Sequence, residues 1–144
     1  MKVLPMFDSL ISTFIKEEPM EIAHRICRRL EEQQINIYAV VDHQADMNAL
    51  QVFSYPAFTI MFGNPRIGSK LLEKLPCAAI DIPLRIAVIQ AESGQGSYVI
   101  FRDIERLFEQ YIEKVAELRE WAQEINRTLH KLVDQSIHNH KWEE

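Results

Sequence analysis

The chain has 144 residues, 47% of them hydrophobic and 26% charged, the balance of one ordinary folded domain rather than of a disordered segment. A net charge of −5 disfavours nucleic acid, which asks for a basic surface, and no apolar run nears the roughly 18–20 residues that span a bilayer, so neither is an expected partner. Two cysteines, Cys27 and Cys77, are too few for a disulfide framework and lack zinc-knuckle spacing; with no signal-peptide pattern in MKVLPMFDSL, the expected location is the cytoplasm, and no cofactor is implied.

Ser9–Ile15 is rich in β-branched and aromatic residues and reads as a strand. Pro19 follows where a first helical residue is tolerated, and Glu17, Glu18 and Glu21 suit the positive end of a helix dipole. Ala23, Ile26, Cys27 and Leu30 then recur on one face, predicting an amphipathic helix over 19–34. Cys27 is thereby a core residue rather than a reactive thiol. Ile35–Val41 predicts a second strand and Gln44–Leu50 a short helix. Ala57–Phe62 predicts a third, well-buried strand ending at Gly63. Ile67, Leu71, Leu72 and Leu75 have helical spacing between Pro65 and Pro76. Ala78–Ile82 reads as a short extended piece. Leu84–Ala91 and Ser97–Phe101 form a hairpin around Ser-Gly-Gln-Gly, whose glycines can supply positive φ.

From Ile104 the chain changes character. Ile104, Phe108, Tyr111, Val115, Leu118, Ala122, Ile125, Leu129 and Leu132 alternate spacings of four and three, a sustained heptad seam. A continuous helix over 102–138 would measure ~55 Å at ~1.5 Å per residue, longer than the domain before it. Its exposed seam predicts a homodimer through Val115, Leu118, Trp121, Ile125, Leu129 and Leu132. The alternative is a break near Asn126–Arg127 that folds the seam back onto its own domain. His130, Asp134 and His138 recur every four residues with His140 nearby, which reads as a solvated face more readily than as a metal site. Trp142 is left without a role.

Three stretches carry a family resemblance: Val41-Asp42-His43, Phe62-Gly63-Asn64-Pro65-Arg66-Ile67-Gly68-Ser69 and Ala79-Ile80-Asp81-Ile82-Pro83-Leu84-Arg85. Their order and spacing resemble the domain of unknown function 302 family over residues 9–103. The resemblance implies a two-layer α+β domain with a mainly antiparallel sheet, similar to the TATA-box-binding-protein-like β-α-β-β-β-β-α arrangement, and no established activity. The chain departs from the family pattern at Lys70, where a proline is usual. It departs again at Phe101-Arg102-Asp103-Ile104, which replaces Tyr-Asn-Asp-Pro and lets the last strand run into the helix. The expected organisation is thus a domain over 1–103 and a helical, dimerising extension over 104–144.

The chemistry the residues offer is sparse. Asn64 can cap the helix opened by Pro65, or the free N–H groups there, with Gly63 and Arg66, can hold an anion. Asp42 and His43 end a strand, and Asp81 precedes Pro83; carboxylate beside imidazole could move protons or bind metal, or simply brace turns. The function these features favour is a dimeric, noncatalytic module that binds a small molecule or anion through Asp42, His43, Asn64 and Asp81. The alternatives are a scaffold acting through the C-terminal helix and an enzyme using Asp42 and His43 for acid–base or metal chemistry.

Overall fold

The computed structural model describes Phe7 and residues 9–138, the side chain of His138 excepted. In chain order the elements are β1 (Leu10–Ile15), α1 (Pro19–Glu32), β2 (Asn36–Asp42), α2 (His43–Ala49), β3 (Ala57–Gly63) and α3 (Pro65–Lys74). A 3-10 turn (Pro76–Asp81) leads to β4 (Leu84–Gln90) and β5 (Ser97–Arg102), and the chain ends in α4 (Ile104–Leu107), α5 (Glu109–Lys114) and α6 (Leu118–His138). The strands form one sheet in the order β1-β5-β4-β3-β2, with every neighbouring pair antiparallel. This is the expected α+β class with a long C-terminal helix.

Period-two alternation explains which sheet face is buried. Phe58 stands opposite Val88, Ile60 opposite Ile86 and Phe62 opposite Leu84, and the first five of these residues belong to the core with Leu84 packed against it. On the α1 side, Ile22, Ala23, Ile26 and Leu30 form the buried stripe and meet β2, β3 and β4. Cys27 packs against this core, and burial, with a smaller contribution from the Glu31 charge, pushes its thiol pKa up.

Two expectations about local structure are corrected. Residues 76–81 form a 3-10 turn, not an extended piece: the Ala78 N–H donates to the Leu75 carbonyl at 3.0 Å, and the tight turn tucks the small Ala78 side chain fully into the core. The continuous helix over 102–138 is also absent. Phe108 (φ −101°, ψ 14°) and Val115 (φ −130°, ψ 92°) leave the helical region and divide the segment into α4, α5 and α6. β5 does pass directly into a helix, through Asp103, whose carboxylate caps α4 by accepting from the Glu105 N–H (3.0 Å) and the Arg106 N–H (3.4 Å).

The chain then turns back, and α6 packs beside α1 and α4. Asn126 ties the return: its Oδ1 accepts from the buried Ile104 N–H at 2.8 Å and its Nδ2 donates to Asp103 Oδ1 at 3.0 Å. Fold-back is the alternative the sequence left open, but the break falls at Val115, and Asn126 is the latch rather than the hinge. Ile104, Phe108, Ile112, Leu118, Ala122, Leu129 and Leu132 are consequently buried in the same cluster as the strands. Val115, Trp121 and Ile125 pack against it, partly exposed. An intrachain partner is already tethered and loses no translational freedom on contact, so the seam is used at home. Of the residues expected at a dimer interface, Leu118, Leu129 and Leu132 are buried within the chain, whereas Val115, Trp121 and Ile125 keep partly exposed surface, and the segment after residue 103 shares one core with the strands. Among the described residues no helix is long and apolar enough to cross a membrane.

Candidate functional site

Fold-back of α6 leaves a cleft of about 660 Å³ between α6, the end of α1, the start of β2, and the segments that follow β3 and precede β4. That volume lies in the range typical of small-molecule sites. Its walls are mainly apolar: Leu30 and Ile35 on one side, Phe62, Ile67 and Leu72 on another, Ile82–Leu84, and Trp121, Ile125, Leu129 and Leu132 from α6. Polar groups are few: Tyr38, Asn64, Ser69, Lys70, Glu124 and Thr128.

Two of the three stretches that carry the family resemblance meet here. Phe62–Asn64 ends β3 and Pro65–Lys70 opens α3, while Ile82–Leu84 enters β4; all but Arg66 line the cleft. Asn64 fulfils its capping role, its Oδ1 accepting from the Arg66 N–H at 3.0 Å. Pro65 has no N–H, and the Ile67 and Gly68 N–H groups both donate to the Asn64 carbonyl. The Arg66, Ile67 and Gly68 backbone N–H groups at the start of α3 are therefore already engaged.

The other expected ligand residues are not brought together with Asn64. In the β2–β3 pair, Asn36 faces Gly63 while Asp42 faces Phe58, so Asp42 and His43 stand at the opposite end of the sheet from the cleft, ~20 Å away at ~3.4 Å per residue. Asp42 caps α2 by accepting from the Ala45 N–H at 3.1 Å. His43 Nε2 hydrogen-bonds to Thr59 Oγ1 at 2.8 Å. Asp81 precedes the cleft wall, but its carboxylate accepts from the Tyr111 hydroxyl at 2.5 Å, which pushes the phenol pKa up to about 12. Of the four expected ligand residues, Asn64 lines the cleft and Asp42, His43 and Asp81 do not. Further along α6, His130 packs edge-on against Phe101 with ring centroids 5.2 Å apart, and Asp134 is engaged. No group of three metal-ligating side chains is found among the described residues, and His140 and Trp142 lie outside them, as does the His138 side chain.

Three cleft residues were not among the ligand-binding residues expected from the sequence. Tyr38 sits at an irregularity in β2, where pairing jumps from Ile37–Phe62 to Ala39–Met61. Bulges of this kind re-aim a side chain, and the Tyr38 ring comes to lie over Gly63, where an added Cβ would stand 3.2 Å from it. Trp121 was expected at a dimer interface rather than at a ligand site. It packs edge-to-face on Phe108, centroids 5.2 Å apart, and its indole N–H is buried without an acceptor in the protein. Gly68 sits inside α3, where glycine costs roughly 1 kcal/mol against alanine.

A family model described as Domain of unknown function DUF302 matches residues 12–136. The crystal structure of an uncharacterized conserved DUF302 protein from Bacillus stearothermophilus is similar with a TM-score of 0.78 at 16% sequence identity, over 90% of this chain and 99% of that one. At that identity the likeness speaks for the fold alone. No curated protein matches the chain.

Proposed function

The chain belongs to the DUF302 family, whose description assigns no activity, and from that premise and the cleft we propose that it is a noncatalytic binding module for a small, largely apolar molecule bearing a hydrogen-bond acceptor. The observation that carries this reading is the apolar cleft built where Phe62–Ser69 and Ile82–Leu84 converge under α6. Polar side chains on the walls able to donate, Tyr38, Ser69 and Lys70, support a ligand that supplies an acceptor. The enzyme alternative relies on Asp42 and His43, whose side chains are occupied with the α2 cap and Thr59 away from the cleft. The scaffold alternative would use the seam of α6, of which Leu118, Ala122, Leu129 and Leu132 are buried in the chain's own core.

The test is a fluorescence titration with 1-anilinonaphthalene-8-sulfonate, whose emission rises in apolar surroundings. Saturable binding of one probe per chain is expected. Ile125→Glu, which places a charge in the apolar wall, should weaken it at least tenfold. Absence of saturable binding, or equal binding by a folded Ile125→Glu protein, would overturn the reading.

A further inference from the structure

We propose that the sheet face opposite α1 binds a second copy of this chain, the two sheets stacking face to face about a two-fold axis that crosses the strands. Register defines this face. In the β4–β5 pair Val88 faces Val99 and Ile86 faces Phe101, all four in the core, so the alternate positions point the other way. They are Ala87 opposite Ile100 and Ile89 opposite Tyr98. Beside them in β1 stand Ser12, opposite Ile100, and Phe14, opposite Tyr98. Phe14 is 53% exposed and packs edge-on against Tyr98, with ring centroids 5.7 Å apart. α2 reaches one corner, where His43 bonds Thr59, the residue opposite Ala87 in β3. The middle of the face is aliphatic and aromatic, and sheets with such faces stack about 10 Å apart.

Charge selects the occupant. One step beyond Ile86 and Phe101, Arg85 and Arg102 lie on this face in neighbouring strands, both exposed. Like charges side by side on a sheet repel. Arg102 donates to the Ser9 hydroxyl at 2.5 Å, and among the described residues neither arginine has a carboxylate partner. A carboxylate stands at the other end of the same face. Glu92 follows β4, and its Oε1 accepts from the Tyr98 hydroxyl at 2.8 Å, which leaves Oε2 for another donor. Residues 85 and 92 are ~24 Å apart along the strand at ~3.4 Å per residue, too far to meet within one chain. A two-fold rotation about an axis across the strands, near Ala87 and Ile100, lays the arginine end of each copy over the Glu92 end of the other. Both contacts form together, as an isologous interface requires, whereas an axis along the strands would set arginine on arginine. Five strands make a face about 24 Å wide and about 20 Å long, roughly 500 Å² per copy. That is near the low end for specific association, so the dimer is expected at micromolar concentration.

The experiment is sedimentation velocity across the micromolar range on native protein, Arg85→Glu, Glu92→Arg and the protein carrying both changes. Native protein should dimerise reversibly, and more weakly as salt is raised. Each single substitution sets like charges against each other at both ends and should weaken the dimer at least tenfold. The double substitution restores opposite pairs and should return the dissociation constant to within about threefold of native. Because residues 85 and 92 do not meet within a chain, that recovery reports contact between copies. Native protein that stays monomeric throughout overturns the inference, whatever else it binds. A native dimer that salt leaves unchanged or tightens overturns it too, with no variant needed. A dimer indifferent to both single changes places the interface elsewhere, and a double variant no tighter than the singles removes the pairing of the two ends; either result rejects the proposed stacking.

Discussion

Asn126→Ala tests the fold-back of the C-terminal segment at its latch. The substitution removes the acceptor for the Ile104 N–H and the donor to Asp103 Oδ1. Two net hydrogen bonds contribute about 2 kcal/mol, and a stranded donor on a buried residue such as Ile104 adds about 1–3 kcal/mol. Alanine recovers roughly 0.6 kcal/mol of helix propensity. The balance is a loss of about 3 kcal/mol, which at a slope of about 2 kcal/mol per molar lowers the urea midpoint by about 1.5 M. A double-mutant cycle with Asp103→Ala separates the contact from general damage to α6. Touching groups couple by about 0.5–3 kcal/mol, while independent sites add to within about 0.5. In one unbroken helix residues 103 and 126 would be ~35 Å apart at ~1.5 Å per residue and could not couple. Additive single effects would therefore refute the latch, and with it the return path that builds the cleft.

Asn64→Ala should lower stability by about 1 kcal/mol through loss of the α3 cap, read as a shift in urea midpoint, with Asn64→Asp retaining most of it. A thiol reagent added to native protein should modify the exposed Cys77 at once and Cys27 slowly, because Cys27 is half-buried and its thiolate is disfavoured; Cys77→Ser should then abolish the fast phase. Tyr111 keeps its proton in the folded state up to about pH 12, above the ordinary phenol value near 10. Between those values the unfolded chain holds fewer protons, so this contribution is complete below about pH 10 and is lost as pH rises through 12. Tyr111→Phe should remove that part of the alkaline loss of stability and the highest-pH step in the ultraviolet titration of native tyrosines.

Much of the architecture follows from patterns confined to one element. The spacing of Ala23, Ile26 and Leu30 specifies a helix with one apolar face. The run Ala57–Phe62 followed by Gly63-Asn64-Pro65 specifies a strand, a turn and a capped helix in that order. Glycines at 94 and 96 specify a hairpin, since their φ values of +78° and +89° are strained for other residues. The family segments mark where two cleft walls lie, because Phe62–Ser69 and Ile82–Leu84 are contiguous stretches.

Tertiary contact decided the rest. A 4-3 spacing of apolar residues states that a helical face will be buried, not against what, and the run from Ile104 to Leu132 has no proline or glycine to mark a break. The break at Val115 arises because α4 and α6 both gain burial in the same core when the chain reverses, and Asn126 has a partner at residue 103 only after it has done so. The site has the same origin. Asp42, His43 and Asp81 are chemically suited to act with Asn64, but strand register carries the first two to the far end of the sheet and Tyr111 occupies the third. Tyr38 reaches the cleft through a pairing irregularity that no side-chain pattern encodes, and Trp121 does so through the return of α6. Local periodicity is a property of neighbours in sequence, whereas a cleft is made by surfaces that meet only once the whole core has closed.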